Sequence, residues 1–292
     1  MTDPAAVERD AAEAASAFSH PAVAPDATAA YGEHPDQLVD FYAPHRRPAG
    51  PAPLVVLLHG GAWRAPYDRR HVTPLAAFLA RQGFAVANVE YRRGSSLPHQ
   101  DAAGPVAGRW PETFDDVAAA LDALPALAAA ALPAADVRRV VVTGHSAGGH
   151  LALWAAARHV LPEGSPWRLA GPPPLRGVVA LAPIADFTAA EELGVCGGAS
   201  AQLLGGPEHW ADRLPHADPA ALLPTGIATA VVHGREDIVV PARVAESYVA
   251  AAAKAGETVG LTLLDGVGHF PLIDPAADAC AVVAEEIAQL AW

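Results

Sequence analysis

Val140-Val141-Val142-Thr143-Gly144-His145-Ser146-Ala147-Gly148-Gly149-His150 runs without a break into Leu151-Ala152-Leu153-Trp154-Ala155-Ala156-Ala157. A β-branched run suited to a buried strand stops at Gly-x-Ser-x-Gly, and a helix-forming run begins at once. Strand, sharp turn and helix together lift Ser146 clear of a sheet edge, as in a nucleophile elbow. A serine hydroxyl is a weak nucleophile at neutral pH, so it needs that exposure, a base within reach and N–H donors beside it. Glycines flank the serine because such a turn strains the backbone and brings neighbouring chain close.

Three further segments follow in the order this chemistry requires. Upstream, Leu54-Val55-Val56-Leu57-Leu58 reads as a buried strand that runs into His59-Gly60-Gly61-Ala62-Trp63. Consecutive glycines let a backbone face a substrate, and fixed N–H groups stabilise the negative charge that builds on a carbonyl oxygen during acyl transfer. The candidate donors are Gly61, Ala62 and Ala147, the last because it starts the helix after the nucleophile, where the helix dipole is positive.

Downstream, Ala228-Thr229-Ala230-Val231-Val232-His233-Gly234 is a strand pattern, and Arg235-Glu236-Asp237 forms the loop after it, ahead of a helix started by Pro241. Asp237 is the candidate triad acid, with Glu236 its nearest competitor. Last, Val259-Gly260-Leu261-Thr262-Leu263-Leu264 precedes Asp265-Gly266-Val267-Gly268-His269-Phe270. Of the thirteen histidines, His269 combines a late strand end, a flexible loop and the Ser, Asp, His order, and is the candidate general base.

On these residues the chain resembles the α/β-hydrolase superfamily, and within it the kynurenine formamidase (arylformamidase) and carboxylesterase group. The matching parts are His59-Gly60-Gly61-Ala62-Trp63, Val89-Glu90-Tyr91-Arg92, Gly144 through Ala152, His233-Gly234-Arg235-Glu236-Asp237 and Gly268-His269. Tyr31-Gly32 through Val39-Asp40-Phe41-Tyr42-Ala43-Pro44 is similar to that group's entry strand, so the resemblance extends from about Tyr31 to the C-terminus. It implies a Ser146-His269-Asp237 triad that cleaves a small carboxylic ester or an N-formyl arylamide through an acyl-enzyme. Ala62 stands where hormone-sensitive-lipase-like enzymes carry a third glycine. His-Gly-Gly-x-Trp is closer to formamidases and to some bacterial acetyl or feruloyl esterases.

Strand and helix signals alternate from Leu38 onward, the pattern of an α/β fold with a mostly parallel sheet between helices. Helices are expected near 69–82, 111–131, 146–158, 241–255 and 275–290, with further strands at 85–91 and 177–181. Residues 31–292 read as one domain. Residues 1–30 read as an extension in which Val7, Ala11, Ala14 and Phe18 fall at helical spacing. That short helix either covers the pocket or frays, and the breaks at Ser19-His20-Pro21 and Pro25-Asp26 favour fraying.

Residues 184–226 form an insertion between two strands. Phe187, Leu193, Leu203, Leu204 and Trp210, interrupted by glycines, suggest short helices that close as a lid, although most of these side chains are expected to bury the lid against the body. Trp63, directly after the oxyanion loop, is placed in the pocket as a substrate contact. Arg64 either meets a substrate carboxylate or is simply exposed, the ordinary state of an arginine. His59 is expected to brace the oxyanion loop, His145 to point away from the serine hydroxyl, and His150 to lie on the buried side of the elbow helix. Glu90, Tyr91 and Arg92 read as a buried polar bracket.

A formal charge of −13, with nineteen Lys and Arg in 292 residues, argues against a nucleic-acid partner. The Ala-rich stretch 117–135 is broken by Asp122, Pro125 and Pro133, so no membrane span is expected. The opening Met1-Thr2-Asp3-Pro4 shows no secretory pattern, and a cytoplasmic location follows as an expectation. Cys196 and Cys280 read as reduced thiols, and no metal or cofactor motif is present, so a cofactor-free enzyme acting on a small molecule is expected. Acyl transfer on the same triad is the enzymatic alternative. A non-catalytic receptor on the same fold is the alternative from another class. The sequence leaves oligomeric state open.

Overall fold

A computed structural model describes residues 3–45, 50–94 and 106–292. Met1 and Thr2 of the N-terminal extension lie outside the described residues. Among those described, the chain forms α1 (Pro4–Ala17), β1 (Ala27–Ala30), β2 (Leu38–Tyr42), β3 (Ala52–Leu58), α2 (Thr73–Arg81), β4 (Ala85–Val89), α3 (Glu112–Ala131), β5 (Ala135–His145) and α4 (Ala147–Ala156). The second half continues with β6 (Gly177–Leu181), α5 (Phe187–Glu192), α6 (Ala199–Leu203), α7 (Trp210–Ala217), β7 (Thr229–Gly234), α8 (Arg243–Lys254), β8 (Gly260–Leu264) and α9 (Asp278–Ala291).

The eight strands make one sheet in the order β1-β2-β4-β3-β5-β6-β7-β8. Only β1 with β2 and β2 with β4 pair antiparallel, and the rest of the sheet is parallel. Parallel strands covered on both faces read as unbroken apolar runs, and β3 and β6 are buried at every residue. Side chains nevertheless alternate between two cores. Leu54, Val56 and Leu58 pack with Phe114, Trp154 and Tyr248 from α3, α4 and α8. Val55 and Leu57 face the opposite way, onto Leu75 and Leu79 of α2 and Val283 and Ile287 of α9.

This topology brings the carboxyl ends of β3, β5, β7 and β8 to one side of the sheet, the side on which open α/β sheets carry their ligands. His59, Ser146, Asp237 and His269 each lie within a few residues of one of those ends. The α/β reading and the order of its elements stand. Bounds moved where tertiary pairing decides them: β5 extends back to Ala135 and α4 stops at Ala156, with a 3-10 turn at Arg158–Val160 after it.

Two features of the N-terminal region depart from the sequence reading. Ala27–Ala30 forms an edge strand against β2, with Thr28 Oγ1 donating to Asp40 Oδ1 at 2.7 Å. An Ala-Thr-Ala-Ala segment carries almost no intrinsic strand signal. The expected fraying of the first helix is also corrected: α1 is capped by Asp3, whose side chain accepts from Ala5 N–H at 3.1 Å, and is docked on the body by Arg9, Glu13 and Ser16. Those partners lie more than 220 residues away in sequence, beyond the reach of any local pattern.

Between β6 and β7 the insertion forms α5, α6 and α7 with 3-10 turns at Val195–Gly197, Pro207–His209 and Pro219–Leu222. Phe187, Leu203 and Leu204 are buried against the body, whereas Leu193 is exposed. No helix among the described residues is long and apolar enough to cross a membrane.

Candidate active site

Ser146 takes φ 56° and ψ −117°, a conformation that a non-glycine residue adopts only where the surroundings force it. Its N–H donates to Leu181 O at 2.8 Å and its carbonyl accepts from His150 N–H at 3.1 Å, so β6 and α4 both grip the turn. The glycines are required by close approach. A Cβ on Gly148 would sit 2.0 Å from Leu58 O, and one on Gly144 would sit 2.3 Å from Gly148 O. The elbow therefore packs directly on the end of β3.

That contact sets the His59–Trp63 loop, the candidate oxyanion loop, beside the serine. Gly61 and Ala62 have φ of 104° and 50°, turning this stretch of backbone out of the extended path of β3. Both residues line the same cavity as Ser146. Ala147 opens α4, where the first N–H groups have no acceptor inside the helix. His59 braces the loop as expected, with Nδ1 donating to Gly60 O at 2.9 Å and Nε2 to Glu90 Oε1 at 2.8 Å. Tyr91 stacks on the His59 ring and donates its hydroxyl to His59 O at 2.5 Å. Glu90 also accepts from Arg69 N–H and from Arg93. Burial alone would raise the Glu90 pKa, but His59 and Arg93 outweigh it and hold the carboxyl at about 2. Arg92 pairs with Asp116 at 2.7 Å to complete the bracket.

On the other wall, His269 Nδ1 donates to Asp237 Oδ2 at 2.6 Å, with both side chains almost wholly buried. Asp237 Oδ1 accepts from the N–H groups of Val239 and Val240, each at 2.8 Å. Burial works to raise the Asp237 pKa, but His269 and His233 prevail and hold it below the usual carboxylate range. With Nδ1 engaged, the remaining nitrogen of His269 is Nε2. Glu236 does not compete, because its carboxylate is half exposed and pairs loosely with Arg9 at 3.8 Å.

Ser146, His269, Gly61 and Ala62 line one cavity of about 210 Å³ together with Phe18, Tyr67, His71, His145, Cys196 and Phe270. The Ser146 hydroxyl is engaged by no hydrogen bond among the described residues, which does not exclude it as a candidate nucleophile, because such contacts are often long before substrate arrives. His71 is neutral near pH 7: burial and the nearby His59 push its pKa down to about 4. Among the described residues no cluster of His, Cys, Asp or Glu is arranged to hold a metal ion.

Three expectations change. Trp63 does not line this cavity. Its positive φ of 54° turns the side chain into the core, where it is fully buried edge-on to His150 and Phe187. The aromatic groups at the cavity are instead Phe18, Tyr67 and Phe270. His145 does not turn away from the site, for it lines the cavity and its Nε2 lies 2.9 Å from His269 O. Arg64 is not simply exposed: it lines the cavity and donates to the insertion's Cys196 O at 2.7 Å.

Two residues were passed over in the sequence. Phe18 was noted only for its helical spacing. His233, given no role of its own by the sequence, lies with Nε2 2.8 Å from Val240 O and 3.4 Å from Asp237 Oδ2. Its place four residues before the acid was the available signal.

A profile of the family described as BD-FAE matches residues 39–251. The chain is 29% identical to the esterase LipC of Mycobacterium tuberculosis over 283 residues, covering 88% of this chain and 64% of LipC. It is 25% identical over 263 residues to a probable isoprenylcysteine alpha-carbonyl methylesterase of Oryza sativa subsp. japonica, covering 82% and 56%. The chain thus spans less than two thirds of the length of these curated relatives. Among solved structures, esterase B of Lactobacillus rhamnosis superposes with a TM-score of 0.74 at 20% identity, covering 98% of this chain and 92% of that one. A truncated carbohydrate esterase from gut microbiota gives 0.73 at 19%, covering 91% and 96%. These likenesses assign the α/β-hydrolase fold.

Proposed function

The chain belongs to the BD-FAE family, and from that premise we propose that it is a serine hydrolase cleaving a small carboxylic ester through an acyl-enzyme. The carrying observation is the Asp237-His269 pair at 2.6 Å opening onto the cavity that holds the strained Ser146. Ser146 Oγ attacks the carbonyl carbon while His269 Nε2 takes its proton, and the carbonyl oxygen becomes an oxyanion held by the N–H groups of Gly61, Ala62 and Ala147. As the tetrahedral species collapses, His269 returns the proton to the departing alcohol and leaves an acyl group on Ser146. Water then attacks, gives a proton to His269, and releases the acid as Ser146 Oγ is reprotonated. Asp237 fixes the His269 tautomer and stabilises the imidazolium in both halves. It stays ionised throughout, consistent with its depressed pKa.

A cavity of about 210 Å³ is at the small end for ligand sites, which commonly run from about 300 Å³ upward, and this favours a short acyl chain. Arg64 and Cys196 tie the 184–226 insertion to the cavity rim, which supports its reading as a lid. An N-formyl arylamide is the second substrate class, favoured by the aromatic side chains of Phe18, Tyr67 and Phe270 at the rim. Ser146→Ala and His269→Ala should each abolish nearly all turnover of p-nitrophenyl acetate with an unchanged circular dichroism spectrum. Rates on N-formylkynurenine, measured beside acetyl, butyryl and feruloyl esters, choose between the two classes. Full activity of either variant overturns the proposal.

A further inference from the structure

Helix α1 lies outside residues 39–251 that match the family, yet it touches both loops that carry the candidate acid and base. Arg9 Nη2 donates to Glu236 O at 3.0 Å, one residue from Asp237. Glu13 Oε1 accepts from Gly268 N–H at 3.0 Å, one residue from His269. At the helix end Ser16 Oγ, and just beyond it His20 Nε2, meet the two oxygens of the buried Asp274 at 2.5 and 2.7 Å. Between these anchors the Phe18 ring stands 5.4 Å from Phe270 and 5.9 Å from His71, on the wall of the Ser146 cavity.

Gly268 also leaves room for this docking. Its φ is not positive, so the backbone there does not demand glycine. A Cβ at Gly268 would stand 2.1 Å from Glu13 Oε2. The missing side chain beside His269 is therefore the space into which the Glu13 carboxylate fits.

We propose that α1 is a working part of the active site: Glu13 is a positioning residue that holds the His269 loop through the Gly268 amide, and Phe18 is a specificity-determining wall against the apolar part of the substrate. This rests on the reading of Ser146, His269 and Asp237 as the catalytic set. Loop placement acts on the chemical step, because a small displacement of the base costs rate without costing binding. Wall shape acts on the choice among substrates.

The test measures kcat and KM for p-nitrophenyl acetate and p-nitrophenyl octanoate in the full chain and in Glu13→Ala, Glu13→Gln, Phe18→Ala and Phe18→Trp. Glu13→Ala should lower kcat on acetate about tenfold with KM within about twofold. Glu13→Gln keeps an acceptor oxygen and should recover most of that kcat. Phe18→Ala should raise the octanoate to acetate ratio of kcat/KM about fivefold, and Phe18→Trp should lower it. Equal loss, or no loss, in both Glu13 variants overturns the positioning role. Phe18 is substantially exposed, so its variants fold whatever Glu13 does, and an unmoved ratio in both overturns the specificity role. Labelling by a fluorophosphonate reports the catalytic reading separately. A labelled parent with unmoved ratios overturns only the present inference, whereas an unlabelled, inactive parent overturns the catalytic reading and this inference with it.

Discussion

Nε2 of His145 lies 2.9 Å from the backbone oxygen of His269, and the two rings are 4.3 Å apart. A carbonyl oxygen can only accept, so Nε2 carries the proton. Burial, reinforced by His269 beside it, pushes the His145 pKa well below the ordinary histidine value, and the ring keeps one donor and no charge. The residue before Ser146 thus holds the backbone of His269. His145→Phe keeps the ring and loses the donor. Steady-state kinetics on p-nitrophenyl acetate should show kcat reduced about tenfold with KM little changed.

Asp237 does two jobs with different atoms: Oδ2 orients His269 and Oδ1 closes the loop through Val239 and Val240. Asp237→Asn can keep the loop contacts while losing the acceptor that fixes the tautomer. It should lower kcat by about 10³ to 10⁴ with a small change in melting temperature. Asp237→Ala loses both functions and should melt several degrees lower as well. The depressed pKa means that the carboxylate contributes stability above the unfolded carboxylate pKa, and that this contribution is lost as pH falls toward the folded value.

The chain order of the candidate triad was legible because each piece sits at a strand end, and strand ends are marked by the change from β-branched runs to glycine. Ser146, Asp237 and His269 are all found this way, and Glu90, Tyr91 and Arg92 follow the end of β4 as a polar bracket. Trp63 was misplaced because adjacency in sequence does not say which way a side chain turns, and its left-handed backbone sends the indole into the core. Phe18 and β1 were missed for the opposite reason. Phe18 takes its role from Phe270, far along the chain, and β1 is set by its pairing with β2, while their own neighbourhoods are alanine-rich and carry little pattern.

Asp218 sits at the base of the insertion, its Oδ1 accepting from Phe187 N–H at 3.2 Å and from Ala220 N–H at 3.1 Å. Burial, with Asp186 adding to it against those hydrogen bonds, raises its pKa to about 7. A raised carboxyl pKa means that the folded state holds a proton the unfolded state has released. Stability from this group is therefore complete below the unfolded pKa near 4 and is lost as pH rises to about 7. Asp218→Asn keeps the acceptor oxygen without the charge. Thermal melts should show the variant gaining on the parent between pH 5 and pH 8, and a constant difference across that range would refute the assignment.

Gly148 is fixed by backbone rather than by a yielding side chain, since an added Cβ would meet Leu58 O at 2.0 Å and His59 O at 2.5 Å. Gly148→Ala should lower the melting temperature by about 10 °C or more, or abolish soluble expression. Gly171→Ala, where nothing lies within 4 Å of the added carbon, is the matched control and should leave the melt unchanged.

The central claim is that the Ser146 oxygen takes up the acyl group. Acid quenching of the protein during turnover of p-nitrophenyl acetate, followed by peptide mass spectrometry, reads this directly. The account predicts one acetyl group on the peptide containing Ser146 and none in the Ser146→Ala variant. Turnover with no acetyl on that peptide, or with acetyl on another residue, would contradict it.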